Sequence, residues 1–337
     1  MRDEPFVSVV TPVYNGGAFL AECIESVLTQ TYNNFEYLIV NNCSTDRTLE
    51  IALEYAKKDS RIRVHDKSEF VGVIASHNRA FGLISPEAKY CKVVSADDFI
   101  FPECIMRLVE LAEPNPSVGM VGSYLLAGKW LMCDGLEYER KVVKGNEICR
   151  ATLLGGPYVF GSPTSLLYRA DLVRSSKAFY PHSNPHADTT ACYQSLEHSD
   201  FGFVHQVLSY ARIHPNSQTS GSLKVGTFNL ALMGDLTRFG PKYLSPVELK
   251  QRLEYYMNSY YRVLVHVLLA PSGNKEFWKQ QKAALLEMGL RFSFARLLKT
   301  ALLMGFGLLL KPSVAVKSIL AAKRDAGKAA ARYYPSD

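Results

Sequence analysis

At 337 residues the chain exceeds the roughly 100 to 200 residues of an ordinary domain, so one large domain with an appendage, or two domains, is expected. A hydrophobic content of 47% with 21% charged residues is that of a globular protein and excludes a disordered or collagen-like chain. The net charge of +6 is uneven: residues 279–337 carry eleven Lys or Arg against three acids, a balance of +8, which assigns any basic partner surface to the C-terminal tail.

The seven cysteines are odd in number, contain no C-x-x-C pair and lie mostly in apolar runs, which fits reduced thiols in a cytosolic setting. The N-terminus, MRDEPFVSVV, lacks a basic stretch followed by an apolar core, so no secretory signal is read and the working part is expected at the cytoplasm. No segment reaches about 18 uninterrupted apolar residues. The nearest, Thr300 to Leu310, is short and closed by Lys311 and Pro312.

In chain order, Val7 to Thr11 is a short apolar strand ended by Pro12. Leu20, Ile24, Val27 and Leu28 recur on one face of a helix. Tyr37 to Val40 reads as a buried strand. Ser44, Thr45 and Asp46 offer caps for a helix with Leu49, Leu53 and Ala56 inward. Ile62 to Val64 gives a third strand, Ser76 to Leu83 a helix and Tyr90 to Val94 a fourth strand. A helix bearing Ile105, Leu108, Val109 and Ala112 then leads to the strand VGMVGSYLLA. Beyond Gly161, GSPTSLLYRADLV is a loop and strand, HADTTACYQSL a loop entering a helix, and FGFVHQVLSYARIH a strand pair. Past Ser222 the pattern is helical, broken near Pro241 and Pro246.

Strands alternating with helices of this length imply a mostly parallel sheet covered on both faces, with ligands held beyond the carboxyl ends of the strands. Thr11-Pro12-Val13-Tyr14-Asn15, Asn41-Asn42 and Ser95-Ala96-Asp97-Asp98 each follow a strand and should share one rim. Adjacent carboxylates at Asp97 and Asp98 repel and gain nothing for folding by themselves. They are either a turn with a helix N-cap or a grip for a ligand.

The ordered motifs VSVVTPVYN, SVLTQTY, STDRT and ADD resemble those of the family 2 glycosyltransferases over roughly residues 6 to 215, close to two thirds of the chain. The resemblance implies the GT-A fold, a mostly parallel central sheet with helices on both faces, here with a C-terminal helical region. It divides the chain into a transferase domain, 1–220, and a basic helical region, 221–337.

It also implies a metal-dependent, hexosyltransferase-type, inverting transferase that moves sugar from a nucleotide-sugar donor to a glycan or lipid-linked glycan in polysaccharide or cell-envelope synthesis. Mn²⁺ or Mg²⁺ would be held by one or two carboxylates plus phosphate oxygens. By the same resemblance Asp97, Asp98 and His214 are metal candidates, and Thr11, Pro12, Tyr14, Asn15, Asn42, His77, Asn78, Ser95, Ala96 and Asp97 line the donor site. Ser162, Pro163 and Thr164 face acceptor or donor sugar, and Asp188 is the general base. An N-cap is the competing role for Asp188, and a strand-to-helix turn the competing role for PVYNGG.

Several positions depart from the family pattern. Asn41 and Asn42 stand where many relatives have aspartates, and Ser95 replaces the first aspartate of the D-x-D triplet. Phe70 replaces a common asparagine. His77 replaces a frequent arginine, and Arg79, two residues on, points to a different helix face. These departures motivate the alternative of a catalytically silent nucleotide-sugar binder or scaffold. A sugar nucleotidyltransferase would need a basic, glycine-rich triphosphate loop, and TPVYNGG has no basic residue.

No nucleic-acid partner is expected, and a homo-oligomer is left open. The tail from Phe277 combines apolar residues with the +8 balance, which suits peripheral contact with an anionic membrane at the inner face of the plasma membrane. A helical bundle with a solvated basic face is the competing reading.

Overall fold

A computed structural model describes residues 4–181, 186–214, 227–269 and 275–310. The chain forms two compact units, the first ending at Ile213 and the second beginning at His214.

The first unit begins β1 (Val7–Val13), α1 (Leu20–Leu28), β2 (Phe35–Asn41), α2 (Thr48–Ala56), β3 (Ile62–Asp66), α3 (Val73–Phe81) and β4 (Tyr90–Val93). There follow β5 (Phe99–Ile100), α4 (Cys104–Ala112), β6 (Val118–Ala127), β7 (Trp130–Met132), β8 (Val142–Val143) and α5 (Gly145–Leu153). It closes with a 3₁₀ turn (Pro163–Ser165), β9 (Leu166–Arg169), α6 (Ala170–Arg174), α7 (Ala187–Leu196) and β10 (Asp200–Ala211).

These strands form one sheet in the order β3-β2-β1-β4-β9-β6-β10-β5, with β7 on β6 and β8 on β10. β3, β2, β1 and β4 are mutually parallel, as are β6 and β10. β9 runs antiparallel between β4 and β6. The core beneath the first half is built from Val7, Val9, Tyr37 and Ile39 of the sheet against Leu20, Ile24, Val27, Ile105 and Leu108 of α1 and α4.

Several expected boundaries move. β1 continues through Pro12 to Val13. Val10 accepts from Val94 on the β4 side and Val13 accepts from Asn42 on the β2 side. Pro12, two residues past Val10, therefore turns its missing N–H toward β4, whose ladder with β1 has stopped at Val93.

α2 buries Thr48 and Ala52, with Ile51 and Tyr55 packed alongside, while Leu53 is 45% exposed. The Tyr55 hydroxyl donates to Glu25 of α1, a bond consistent with that rotation. α3 starts three residues early, at Val73. The last predicted strand pair is the single strand β10, irregular between Val204 and Val207, because no turn dipeptide interrupts FVHQVLSY. All seven cysteines are free thiols, six of them buried.

In the second unit, α8 (Thr227–Tyr243), α9 (Pro246–Leu269), α10 (Lys275–Glu287) and α11 (Phe294–Leu310) share a core of Leu230, Met233, Met257, Tyr260, Tyr261, Leu264, Leu285 and Leu297. Pro241 lies inside α8 near its end. The break comes at Ser245, which with Glu248 forms a capping box for α9. Each unit holds one tryptophan: Trp130 on β7, and Trp278 on α10 against Phe277 and Phe292. Among the described residues no helix is long and apolar enough to cross a membrane.

Gly145 opens α5 where a Cβ would meet the backbone oxygens of Ser199 and Leu196 at 2.1 and 2.2 Å. These atoms belong to the end of α7 and the turn after it, so they cannot yield as a flexible side chain would. Gly145→Ala should lower the free energy of unfolding by about 1–3 kcal/mol, read by urea denaturation.

Candidate active site

The carboxyl ends of β1, β2 and β4 meet at one edge of the sheet. Asn15, in the left-handed region at φ 50°, receives the Thr45 N–H on its side-chain oxygen at 2.8 Å and donates its own N–H to Ser44 at 2.9 Å. The N–H groups of Gly16 and Gly17 donate to Thr48 and Asp46. Thus the loop after β1 is stitched to the loop after β2, and Asn15 spends its side chain on that seam.

Thr11, which the motifs place in the donor pocket, is fully buried; its hydroxyl donates to Val94 at 2.7 Å and bonds Tyr37 at 3.0 Å. Its side chain supports the rim from within the sheet. Tyr14 and Phe70 are half exposed and meet edge to face at 4.8 Å, an uncovered aromatic pair at the mouth of the same loops.

The Asp97-Asp98 turn lies against this seam. A Cβ on Gly16 would come within 3.4 Å of the Ala96 methyl, and the Cys23 thiol of α1 reaches the Ser95 carbonyl at 3.5 Å. Burial pushes that thiol up to about 12, so Cys23 is an inert packing group. The turn closes with Asp98 N–H donating to Ser95, and β5 intervenes before α4, whose N-cap is Glu103. Helix capping therefore does not account for the aspartates.

Asp98 is buried. Thr164 donates its hydroxyl to one carboxylate oxygen at 2.6 Å, and the Arg212 N–H donates to the other at 3.1 Å. Burial first, then the Asp97 charge, raises its pKa to about 7. Lys92, wholly buried on β4, donates to the carbonyls of Thr164 and Leu166, and burial pulls its pKa down. Thr164 also receives the Ser95 N–H at 3.1 Å. It is thus an internal strut under the turn, with no exposed surface to offer a sugar. Ser162 and Pro163 remain half-buried beside it, and the Ser162 hydroxyl oxygen is enclosed with no hydrogen-bond partner.

Arg212 is not among the residues the motifs single out. Its Nε donates to the Asp97 carbonyl at 3.2 Å, its guanidinium pairs with Glu22 at 2.5 Å, and it lies 4.7 Å from the Phe19 ring centroid. A basic residue directly after an apolar strand was the available signal. His214 is the first residue of the second unit. Among the described residues no group of three His, Cys, Asp or Glu side chains is placed to hold a metal.

Two asparagines expected at the donor turn out to be backbone clamps. The Asn42 amide donates to the Val71 carbonyl at 2.8 Å and accepts the Val71 N–H at 3.1 Å. Asn78 does the same to Tyr180, at 2.7 and 2.9 Å. Asn41 is buried and bridges Asp66 and the Ser44 N–H. The Asn42 amide offers a donor and an acceptor together, whereas an ionised aspartate only accepts and could not complete this clamp. Arg79 is engaged by Glu69, on another face of α3.

His77 bonds the Val73 carbonyl at 2.9 Å and stacks on Tyr180, with centroids 5.4 Å apart. Burial lowers its pKa, opposed by the Val73 bond and the Asp188 charge. Asp188 sits in the first turn of α7; the N-cap is His186, which makes no side-chain cap bond. Asp188 is therefore not the N-cap. Its charge also opposes the burial that lowers His186.

The family profile described as "Glycosyl transferase family 2" matches residues 8–130, from the start of β1 into β7. Residues 8–130 therefore carry a glycosyltransferase family 2 domain match. Similar family members include an uncharacterized glycosyltransferase of Haemophilus influenzae, 31% identical over 195 residues, covering 56% of this chain and 59% of that one. A second is the putative teichuronic acid biosynthesis glycosyltransferase TuaG of Bacillus subtilis, 37% identical over 153 residues, covering 45% and 60%. The chain thus spans about three fifths of these relatives.

Among solved structures, S. aureus TarS 1-349 in complex with UDP-GlcNAc aligns with a TM-score of 0.59 at 18% identity, covering 84% of this chain and 80% of that one. The mannosyltransferase PcManGT of Pyrobaculum calidifontis, in complex with GDP-Man and Mn²⁺, gives 0.56 at 14% identity, covering 99% and 88%. At these identities the likeness shows the glycosyltransferase fold, a mixed α/β sheet with a C-terminal helical region.

Two outcomes follow for this family 2 site. Asn42→Asp and Asn78→Asp each delete a donor and aim a carboxylate at a carbonyl, so each should cost about 1–3 kcal/mol of stability in urea denaturation. For Asp98 the folded pKa is raised, so its contribution is complete below the ordinary value of 3.8 and is lost as pH rises through about 7. In chelator, the thermal midpoint of wild type should therefore fall from pH 5 to 8 by more than that of Asp98→Asn.

Proposed function

We propose that the protein is an inverting glycosyltransferase that moves a sugar from a nucleotide-sugar donor to a glycan or lipid-linked glycan acceptor during polysaccharide or cell-envelope assembly. The observation that carries this reading is the Asp97-Asp98 turn, held at the carboxyl edge of the sheet by Thr164 of the 3₁₀ turn and the Arg212 N–H just past β10, with no capping role of its own. The likeness to TuaG, a putative teichuronic acid biosynthesis glycosyltransferase, supports the envelope setting.

Asp97 and Asp98 would supply oxygen ligands of the kind Mg²⁺ and Mn²⁺ take, and two carboxylates completed by diphosphate oxygens would suit either ion. When bound, the cation would offset the negative charge that collects on the departing diphosphate. Tyr14 and Phe70 would border the base, and Pro12, Ser95 and Ala96 the nucleotide. Ser162 and Pro163 would face the sugars. Asp188 would take the acceptor hydroxyl's proton as that oxygen attacks the anomeric carbon opposite the leaving diphosphate. The protein would work at the cytoplasmic side, where nucleotide sugars are made.

Calorimetric titration of nucleoside diphosphates and nucleotide sugars, with Mn²⁺ or with chelator, tests the donor half. Cation-dependent binding of one nucleotide, lost in Asp97→Ala/Asp98→Ala, is expected; binding indifferent to both would sink the assignment. For the transfer half, Asp188→Asn should keep donor affinity and lower turnover by about 10²–10⁴-fold. Turnover equal to wild type would remove Asp188 from the mechanism.

A further inference from the structure

Helix α11 is apolar on the side that packs and apolar again on the side that does not. Leu297, Ala301 and Met304 face the core of the second unit. Phe294, Leu298 and Leu302, spaced i, i+4, i+8, form a stripe along the outer side, 70%, 65% and 64% exposed, with Leu303 flanking at 64%. The helix cannot roll to hide them. Arg296 is tied to Glu254 of α9 at 2.6 Å and to Asn258 at 2.9 Å, and the Leu297 side chain is buried. An amphipathic helix normally presents charge to water; here the outward face presents leucines.

The charges around the stripe have one sign. Lys299 is exposed within it, and the Lys282 ammonium of α10 stands 5.8 Å from the Phe294 ring centroid. From residue 288 to residue 324 the sequence contains Arg291, Arg296, Lys299, Lys311, Lys317, Lys323 and Arg324, and no Asp or Glu. A second copy of the same face would bring these cations together. A bilayer with anionic headgroups accepts both features, taking the leucine and phenylalanine side chains into the acyl boundary and the lysines at the phosphate level.

We propose that the outer face of α11 is a docking surface for an anionic phospholipid membrane, lying parallel to it with Phe294, Leu298 and Leu302 inserted. The body of the second unit takes the place of the polar face that a free interfacial helix would need. The proposal is independent of the transfer chemistry assigned to the first unit.

The test is flotation of the full chain with vesicles of phosphatidylcholine alone or with about 30 mol% phosphatidylglycerol, for wild type, Leu298→Glu/Leu302→Glu and Lys282→Glu/Lys299→Glu. These positions are exposed, so thermal midpoints should match wild type. Wild type should float with the anionic vesicles and be released by salt, and each double variant should bind about ten-fold or more weakly. Failure of wild type to bind anionic vesicles would overturn the proposal. So would undiminished binding of Leu298→Glu/Leu302→Glu, which would move the contact to residues 311–337. A dimer in sedimentation velocity that Leu298→Glu/Leu302→Glu dissolves, with no vesicle binding, would assign the face to a second copy instead.

Discussion

The hydrogen bond from the Thr164 hydroxyl to the buried Asp98 carboxylate is the contact on which the rest of the first unit's working edge depends. An ionised carboxylate removed from water is costly unless its oxygens are met by donors. Here Thr164 meets one and the Arg212 N–H the other. Thr164 is in turn held from below by Lys92, whose ammonium spans the carbonyls of Thr164 and Leu166. Four pieces of chain, β4, the turn after it, the lead-in to β9 and the exit of β10, are fixed by one polar knot. Such a network is strong when complete and expensive when one member is removed, since the remaining groups stay buried.

A second constraint acts on α3. Asn42 grips the backbone just before this helix, and Asn78 reaches from within it to the backbone ahead of α7. α3 is therefore a strut between the end of β2 and the approach to Asp188. A change at either clamp reaches the backbone at both ends of α3, although neither asparagine has a free amide for a ligand. Residues that look like contacts in the sequence can hold the site together without touching what enters it.

Much of the frame was legible from residue order. The apolar faces of α1 and α4, the parallel strands β1, β2 and β4, and the placement of the Asp97-Asp98 turn past a strand end all follow from local periodicity and chain alternation. What was hidden depends on partners remote in sequence. Asn78 bonds Tyr180 across 102 positions, and Asp98 is met by Arg212 across 114. Nothing near Thr11 or Thr164 says that their hydroxyls point inward. On α2 the inward place expected for Ala56 holds, but Leu53, which fits the same helical period, is exposed, and the buried residues are Thr48 and Ala52.

The tryptophans divide evenly between the two units. Trp130 sits on a strand of the first unit's sheet, beside the Lys129 ammonium at 5.4 Å, whereas Trp278 is packed among phenylalanines in the helical bundle. Replacing either indole by phenylalanine would leave one tryptophan among 19 tyrosines, and its fluorescence, excited at wavelengths tyrosine does not absorb, would report the melting of one unit alone. The question of whether the two cores unfold together or in sequence is thereby open to optical measurement without any added dye.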